Sequence, residues 1–328
     1  MTSHSLPVRQ LIWATIFLFG YFFASGKCAA QWTPTIKSGS AKARAVSGGA
    51  VAAALLERIG PTSEEVLQQF REAGMAPQPH ELTAAERRVV VNALAALPPL
   101  HQRVLATHLR SLSFLDNMPN TALTSTVSSS PQPLFDITIR AAILPQTATD
   151  WLTQKERTCF AATDSAWQVT IEAGVRSALD YVLLHEATHV VDAALHFTPA
   201  LAAGGQLLDS AAAKPFTAGI WQSRTIPATG LRHAPLERIR FRGGPPVPVT
   251  QAEQLYTLLR QTPFVSLYGS TAWTEDLAEY VTVYHFTRKL RQPFRIVVRQ
   301  NGQEVFGYEP MKSALVKRRV RQMKRFYA

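Results

Sequence analysis

Val182-Leu183-Leu184-His185-Glu186-Ala187-Thr188-His189-Val190-Val191 is the stretch that decides the reading of this chain. On an α-helix, residues four apart lie on one face, so His185 and His189 project together. Two neutral imidazoles so placed can bind one zinc ion at about 2.0–2.1 Å. Glu186 is rotated from them by about 100°. It cannot share the ligand position, but it can reach a water there, and zinc lowers the pKa of such a water toward roughly 7. The competing reading is a pair of core histidines with a salt-bridged glutamate. The flanks disfavour it: they are apolar and uncharged, and burying two His and a Glu among them is costly without a metal or a partner.

Two histidines do not complete a catalytic zinc site, which needs a third protein ligand. The extended zincin signature places a third His six residues beyond the second, after a Gly. Here those positions are Leu195 and Asp192, and His196 falls one residue too far. The segment Trp273-Thr274-Glu275-Asp276-Leu277-Ala278-Glu279-Tyr280 offers the replacement. Glu275 and Glu279 share a helix face. One can bind the metal while the other accepts the second N–H of a ligand histidine. Asp192, one turn past His189, is a further candidate for supporting a ligand, although an Asp there more often caps or pairs nearby.

His185-Glu186-x-x-His189 with a distant Glu275-x-x-x-Glu279 resembles the gluzincin branch of zinc metallopeptidases. Within it, Tyr268-Gly269-Ser270-Thr271-Ala272-Trp273-Thr274-Glu275 is similar to the catalytic domain of the anthrax lethal-factor-like peptidases. The resemblance spans about residues 100–290 and rests on these two places. It implies one Zn2+ per chain held by His185, His189 and Glu275, with Glu186 as general base and Glu279 behind the ligands. A Tyr seven residues before the ligand Glu faces the metal in that family; the resemblance therefore implies that Tyr268 stabilises the oxyanion or assists the leaving group. The fold expected is α+β: a zincin-like metallopeptidase domain with a small mixed sheet, an active-site helix and a preceding helical region. A substrate peptide would add as a strand to a sheet edge near the motif helix, and Trp167–Ile171 is the candidate edge.

Working outward, Ser63–Ala73, Leu82–Leu97 and Thr149–Thr158 read as helices. In the second of these, Thr83 and Glu86 are spaced as a capping box. His101–Leu115 reads as a helix or a helix then a strand. Ala122–Val127, Phe135–Ile139 and Trp167–Ile171 read as strands, and Gly174 is expected to open a helix running to Leu195. Gln251–Arg260 and Glu275–Leu290 read as helices. Phe294–Gln300 and Gln303–Tyr308 flank Asn301-Gly302, the strongest short hairpin signal. Residues 196–250 are rich in Pro, Gly and Ala; a connection this long is usually functional. Trp221 in it is expected to anchor that connection, and His233 and His285 read as non-ligand histidines.

The first thirty residues have the pattern of a signal peptide or N-terminal anchor. Arg9 precedes the apolar run Leu11–Ala24, whose 14 residues are short for a membrane span of about 20. Small residues follow, with a cut expected before Gln31. The domain plan is then 1–30 leader, 31–48 linker, 49–112 helical region, 113–310 catalytic domain with insert 196–250, and 311–328 basic helix. Only Cys28 and Cys159 are present, so a disulfide scaffold and a thiolate zinc site are excluded once the leader is removed.

The chain carries a formal net charge of +11. Seven cations and no acid lie between Lys312 and Arg325, which suits a solvated face or contact with an anionic cell-envelope surface. No zinc-finger spacing or aromatic–basic stripe supports nucleic acid as a partner. The sequence therefore points to an exported, periplasmic or secreted zinc metallopeptidase acting on peptide or protein. A zinc amidase on cell-wall peptides and a non-catalytic envelope binding module are the competing functions. The intact Glu186 argues against the last, because a structural site needs no base.

Overall fold

The structure is a computed structural model that describes residues 53–127, 133–200 and 207–328. The leader and linker expected at 1–48 lie outside the described residues. The architecture is mixed α+β with small sheets. Helix α1 (Glu64–Glu72) starts at Ser63, whose hydroxyl accepts from Val66 N. Helix α2 (Ala84–Ala96) starts with the expected capping box of Thr83 and Glu86. Helix α3 (Pro99–His108) follows, with Pro at its first turn, where no N–H is needed.

Four strands form the first sheet: β1 (Gln78–Pro79), β2 (Leu109–Asp116), β3 (Ala122–Thr126) and β4 (Phe135–Arg140). Their order is β1-β2-β4-β3, with β2 and β4 parallel and the other pairs antiparallel. β4 is buried along Phe135–Ile139, including Asp136. That buried carboxylate is matched by the Arg110 guanidinium and by hydroxyls of Ser63 and Ser111 at 2.8 Å. β3 pairs with β4 on one side only, which leaves it as an edge strand.

Helix α4 (Ala148–Arg157) leads to strand β5 (Trp167–Glu172) and then to the motif helix α5 (Ala178–Leu195). The start of α5 differs from the expectation. Gly174 adopts φ +79 and stays outside the helix, and a Cβ there would meet Gln292 Oε1 at 2.1 Å. Ser177 caps the helix instead, accepting from Leu179 N. α5 is buried from Ala178 to Asp192, so it is a core helix packed on every side.

Helix α6 (Ala252–Arg260) and helix α7 (Trp273–Tyr284) complete the frame, and α7 packs against α5. The helix expected to run on to Leu290 changes at His285 into a π-helical turn, His285–Lys289. Strands β6 (Arg295–Gln300) and β7 (Gln303–Tyr308) form the hairpin expected at Asn301-Gly302, both of which have positive φ as the tight turn requires. β5 pairs with β6, giving a second sheet ordered β7-β6-β5.

The C-terminal segment is not a plain solvated helix. A short helix at Ala314–Lys317 is followed by a 3-10 stretch at Val320–Phe326. Val316, Arg319, Met323 and Phe326 turn inward, while Lys317, Arg318, Arg321, Lys324 and Arg325 stay exposed. No helix among the described residues is long and apolar enough to cross a membrane.

Candidate metal centre

α5 presents His185 and His189 one turn apart, and α7 brings Glu275 to them. His185 Nε2 lies 3.1 Å from Glu275 Oε2 and 3.2 Å from His189 Nε2. His189 Nε2 lies 3.5 Å from the same carboxylate oxygen. All three side chains are buried. Three ligand atoms thus converge within 4.8 Å of one another, a group that could hold a metal ion.

The chemistry of the surroundings tests that fit. His185 Nδ1 faces Glu279 Oε1 at 3.1 Å. With its proton on Nδ1, toward that carboxylate, neutral His185 turns the Nε2 lone pair toward His189 and Glu275. Lone pairs so gathered repel unless a positive charge sits among them. Burial alone would push His185 down, but its bonds to Glu275 and Glu279 outweigh burial and raise it to about 9. Burial likewise opposes the charge on Glu275, yet His189 and His185 hold that carboxyl well below its usual range. The site therefore favours a positive charge, which a second proton on His185 or a bound metal ion supplies. Two imidazoles and a carboxylate are a donor set suited to zinc among other divalent metals.

Glu279 lies behind His185, with one carboxylate oxygen hydrogen-bonded and the other facing His185 and Lys155. Its Oε2 accepts from Tyr181 OH at 2.9 Å and Ser266 Oγ at 2.7 Å, and Lys155 Nζ lies 3.7 Å from Oε1. Despite burial, Lys155 and His185 hold its carboxyl down at about 2. Gly269 lets the Tyr268 turn approach this residue: a Cβ there would sit 3.3 Å from Glu279 Cβ.

Glu186 faces the cavity beside the histidines, and Thr124 Oγ1 of edge strand β3 donates to its Oε2 at 2.7 Å. Tyr268 is buried with its ring centroid 5.7 Å from that of His185. Burial, with the charges of Glu275 and Glu186, raises its phenol well above the usual range. Tyr268 accordingly remains a protonated donor at neutral pH. Lys155 Nζ lies over its ring at 3.9 Å.

The cavity has a volume of about 510 Å³. The insert closes one side with Arg224, Phe241 and Arg242, none of which periodicity or spacing could place. Arg242 Nη1 donates to Thr225 O at 2.8 Å and Nη2 donates to Ser270 O. Trp221 anchors the insert, its Nε1 donating to Asp276 Oδ2 at 2.9 Å. Asp276 also receives Arg319 from the C-terminal segment, with Nη1 at 2.6 Å from Oδ2 and Nη2 at 3.0 Å from Oδ1. This buried pair locks the first turn of α7, which carries Glu275.

Asp192 ties down the chain beyond α5, Oδ1 accepting Thr198 N at 2.7 Å and Oδ2 accepting Thr198 Oγ1 at 2.6 Å, and it stays within electrostatic reach of His189. The Trp167–Ile171 edge is closed to a peptide. Thr153 Oγ1 of α4 bonds both Ile171 O and Ile171 N, and Arg157 Nε donates to Val169 O. The edge beside Glu186 belongs to β3 instead. His285 pairs with Tyr327 OH and Ala96 O, and His233 lies away from the main cavity.

No family model, curated protein or solved structure matches this chain.

Proposed function

We propose that the chain is a zinc-dependent peptidase of the gluzincin kind, with a zincin-like catalytic domain. The observation that carries this reading is the convergence of His185, His189 and Glu275 at a cavity that His185, Glu275 and Glu186 line. A structural metal site needs neither an open cavity nor a base. A bound zinc ion would polarise the scissile carbonyl and acidify the attacking water.

The chain's own residues supply the rest. Glu186, oriented by Thr124, takes the proton from the attacking water and returns it to the leaving amine. Tyr268, kept protonated, donates a hydrogen bond to the oxygen on which negative charge develops. Glu279 fixes the tautomer and the ring orientation of His185. β3 is an edge strand with no second strand beside it among the described residues, and an extended peptide added to it would lie past Glu186. The apolar segment near the N-terminus supports export as the setting.

Cleavage of a peptide library by zinc-loaded protein tests the reading, with Glu186→Gln as control. Hydrolysis that depends on Glu186 and on added zinc is expected. Zinc-loaded, folded protein that cleaves nothing, or a Glu186→Gln variant as active as wild type, would exclude it.

A further inference from the structure

The hydrolase reading does not account for the charge of the cleft. Lys155, Arg224 and Arg242 face the cavity, and its carboxylates are Glu186 and Glu275. Both acids already have work: Glu275 lies between two histidines, and Glu186 is held toward the water position. A divalent cation at the triad adds to the positive excess.

Two of the three cations, Arg242 and Lys155, have side chains fixed by their neighbours. The two bonds that fix Arg242 go to carbonyls of Thr225 and Ser270, neutral acceptors, and the carboxylate that offsets its charge, Glu237, is already paired with Arg232. Arg224 is tied by its backbone to the start of α7, its carbonyl accepting Trp273 N at 3.0 Å. Lys155 stands among aromatic rings, 3.9 Å from the Tyr268 centroid and 5.3 Å from that of Trp151. Its counter-ion Glu279 is shared with His185. Apolar walls strengthen the field of such charges and focus it along the cleft. A guanidinium fork also matches a carboxylate in geometry.

We infer that Arg224, Arg242 and Lys155 form a carboxylate-binding subsite beside the scissile position, so that the substrate is a peptide bearing an acidic group next to the cleaved bond. This rests on the hydrolase reading for what is cleaved, and on the cleft's own charge for what is bound. The acidic group can be an Asp or Glu side chain or a free C-terminal carboxylate. Basic peptides are repelled by the same field.

Binding tests this separately from catalysis. Fluorescence anisotropy of full-length Glu186→Gln protein is measured with labelled peptides of one frame, carrying Glu, Gln or Lys at scanned positions. Each peptide is made with a free or an amidated C-terminus, and each is tested with zinc and after zinc removal. The acidic forms are expected to bind about tenfold tighter than neutral ones. That preference is expected to persist without zinc, to shrink in Arg224→Gln and to turn toward Lys peptides in Arg224→Glu. Tightening with Glu identifies a side-chain carboxylate, and tightening only with the free acid identifies the chain terminus.

Equal affinity for Glu, Gln and Lys peptides overturns the inference. So does a preference that vanishes on zinc removal, because the carboxylate is then bound by the metal, and so does one unchanged in both folded Arg224 variants. Cleavage of the same peptides by wild type separates the two levels. Equal cleavage of all forms leaves the hydrolase and removes the subsite. Discrimination in binding with no cleavage in any arm does the reverse.

Discussion

His185 Nδ1 lies 3.1 Å from Glu279 Oε1, so the carboxylate one turn along α7 from Glu275 orients the histidine that Glu275 meets from the other side. Glu279→Gln keeps the size of the side chain and removes the charge that fixes the Nδ1 proton. Zinc affinity, measured by chelator competition, is expected to fall about 10–100-fold. Unchanged affinity in a folded variant would remove the orienting role.

Tyr268→Phe separates catalysis from assembly. The variant loses a donor and keeps the ring that packs on Lys155 and Phe241. Its kcat is expected to drop about 10²–10³-fold, with metal content and KM little changed. A fall in KM-linked binding alone would assign Tyr268 to substrate packing. Thr124→Val should lower kcat about tenfold by freeing Glu186, a smaller effect because the base itself remains.

The Arg319–Asp276 pair is almost fully buried, with the guanidinium also 4.4 Å from Phe216 and 4.5 Å from Tyr280. Arg319→Met leaves a buried carboxylate without its partner, which costs about 3–5 kcal/mol. Thermal unfolding should show a lower Tm. Adding Asp276→Asn to Arg319→Met should recover part of the loss, because the stranded charge is then gone. Additive losses would argue against coupling between the two.

Glu156 carries a pH signature of its own. Burial pushes its carboxyl up to about 7, against the opposing bond from Tyr256 OH at 2.9 Å and the charge of Lys155. Glu279 and Cys159 are its other titratable neighbours. A raised carboxyl keeps its proton in the folded state while the unfolded chain has already lost it. Stability from this group is therefore present below about pH 4.5 and lost as pH rises toward 7. Glu156→Gln removes that loss. Its stability relative to wild type should rise from pH 5 to pH 8 by about 2–3 kcal/mol. A difference that stays flat across this range would place the Glu156 carboxyl in its ordinary range.

The motif helix was legible because its spacing and its uncharged flanks are both local. Glu275 was legible for another reason: two histidines are an incomplete donor set, and only one downstream segment paired acids on an apolar helix. Most elements followed from periodicity and from the capping box of Thr83 and Glu86. What failed concerns neighbours. Trp167–Ile171 alternates as an edge strand should, but nothing local reveals that Thr153 and Arg157 occupy its free side. Thr124, Lys155, Arg242 and Arg319 reach the site across sequence separations that no periodicity encodes. Arg319 looked like one of seven solvated cations, yet it is 3% exposed. Its partner Asp276 is hidden beside the more conspicuous Glu275.

The central claim is that His185, His189 and Glu275 hold one catalytic metal ion. Metal analysis of purified full-length protein after zinc loading and desalting tests it most directly, with His189→Ala, Glu275→Ala and Glu186→Gln measured in parallel. The account predicts about one zinc per chain in wild type and in Glu186→Gln, and near none in the two ligand variants. Folded wild-type protein that retains no zinc, or ligand variants that retain as much as wild type, would contradict it.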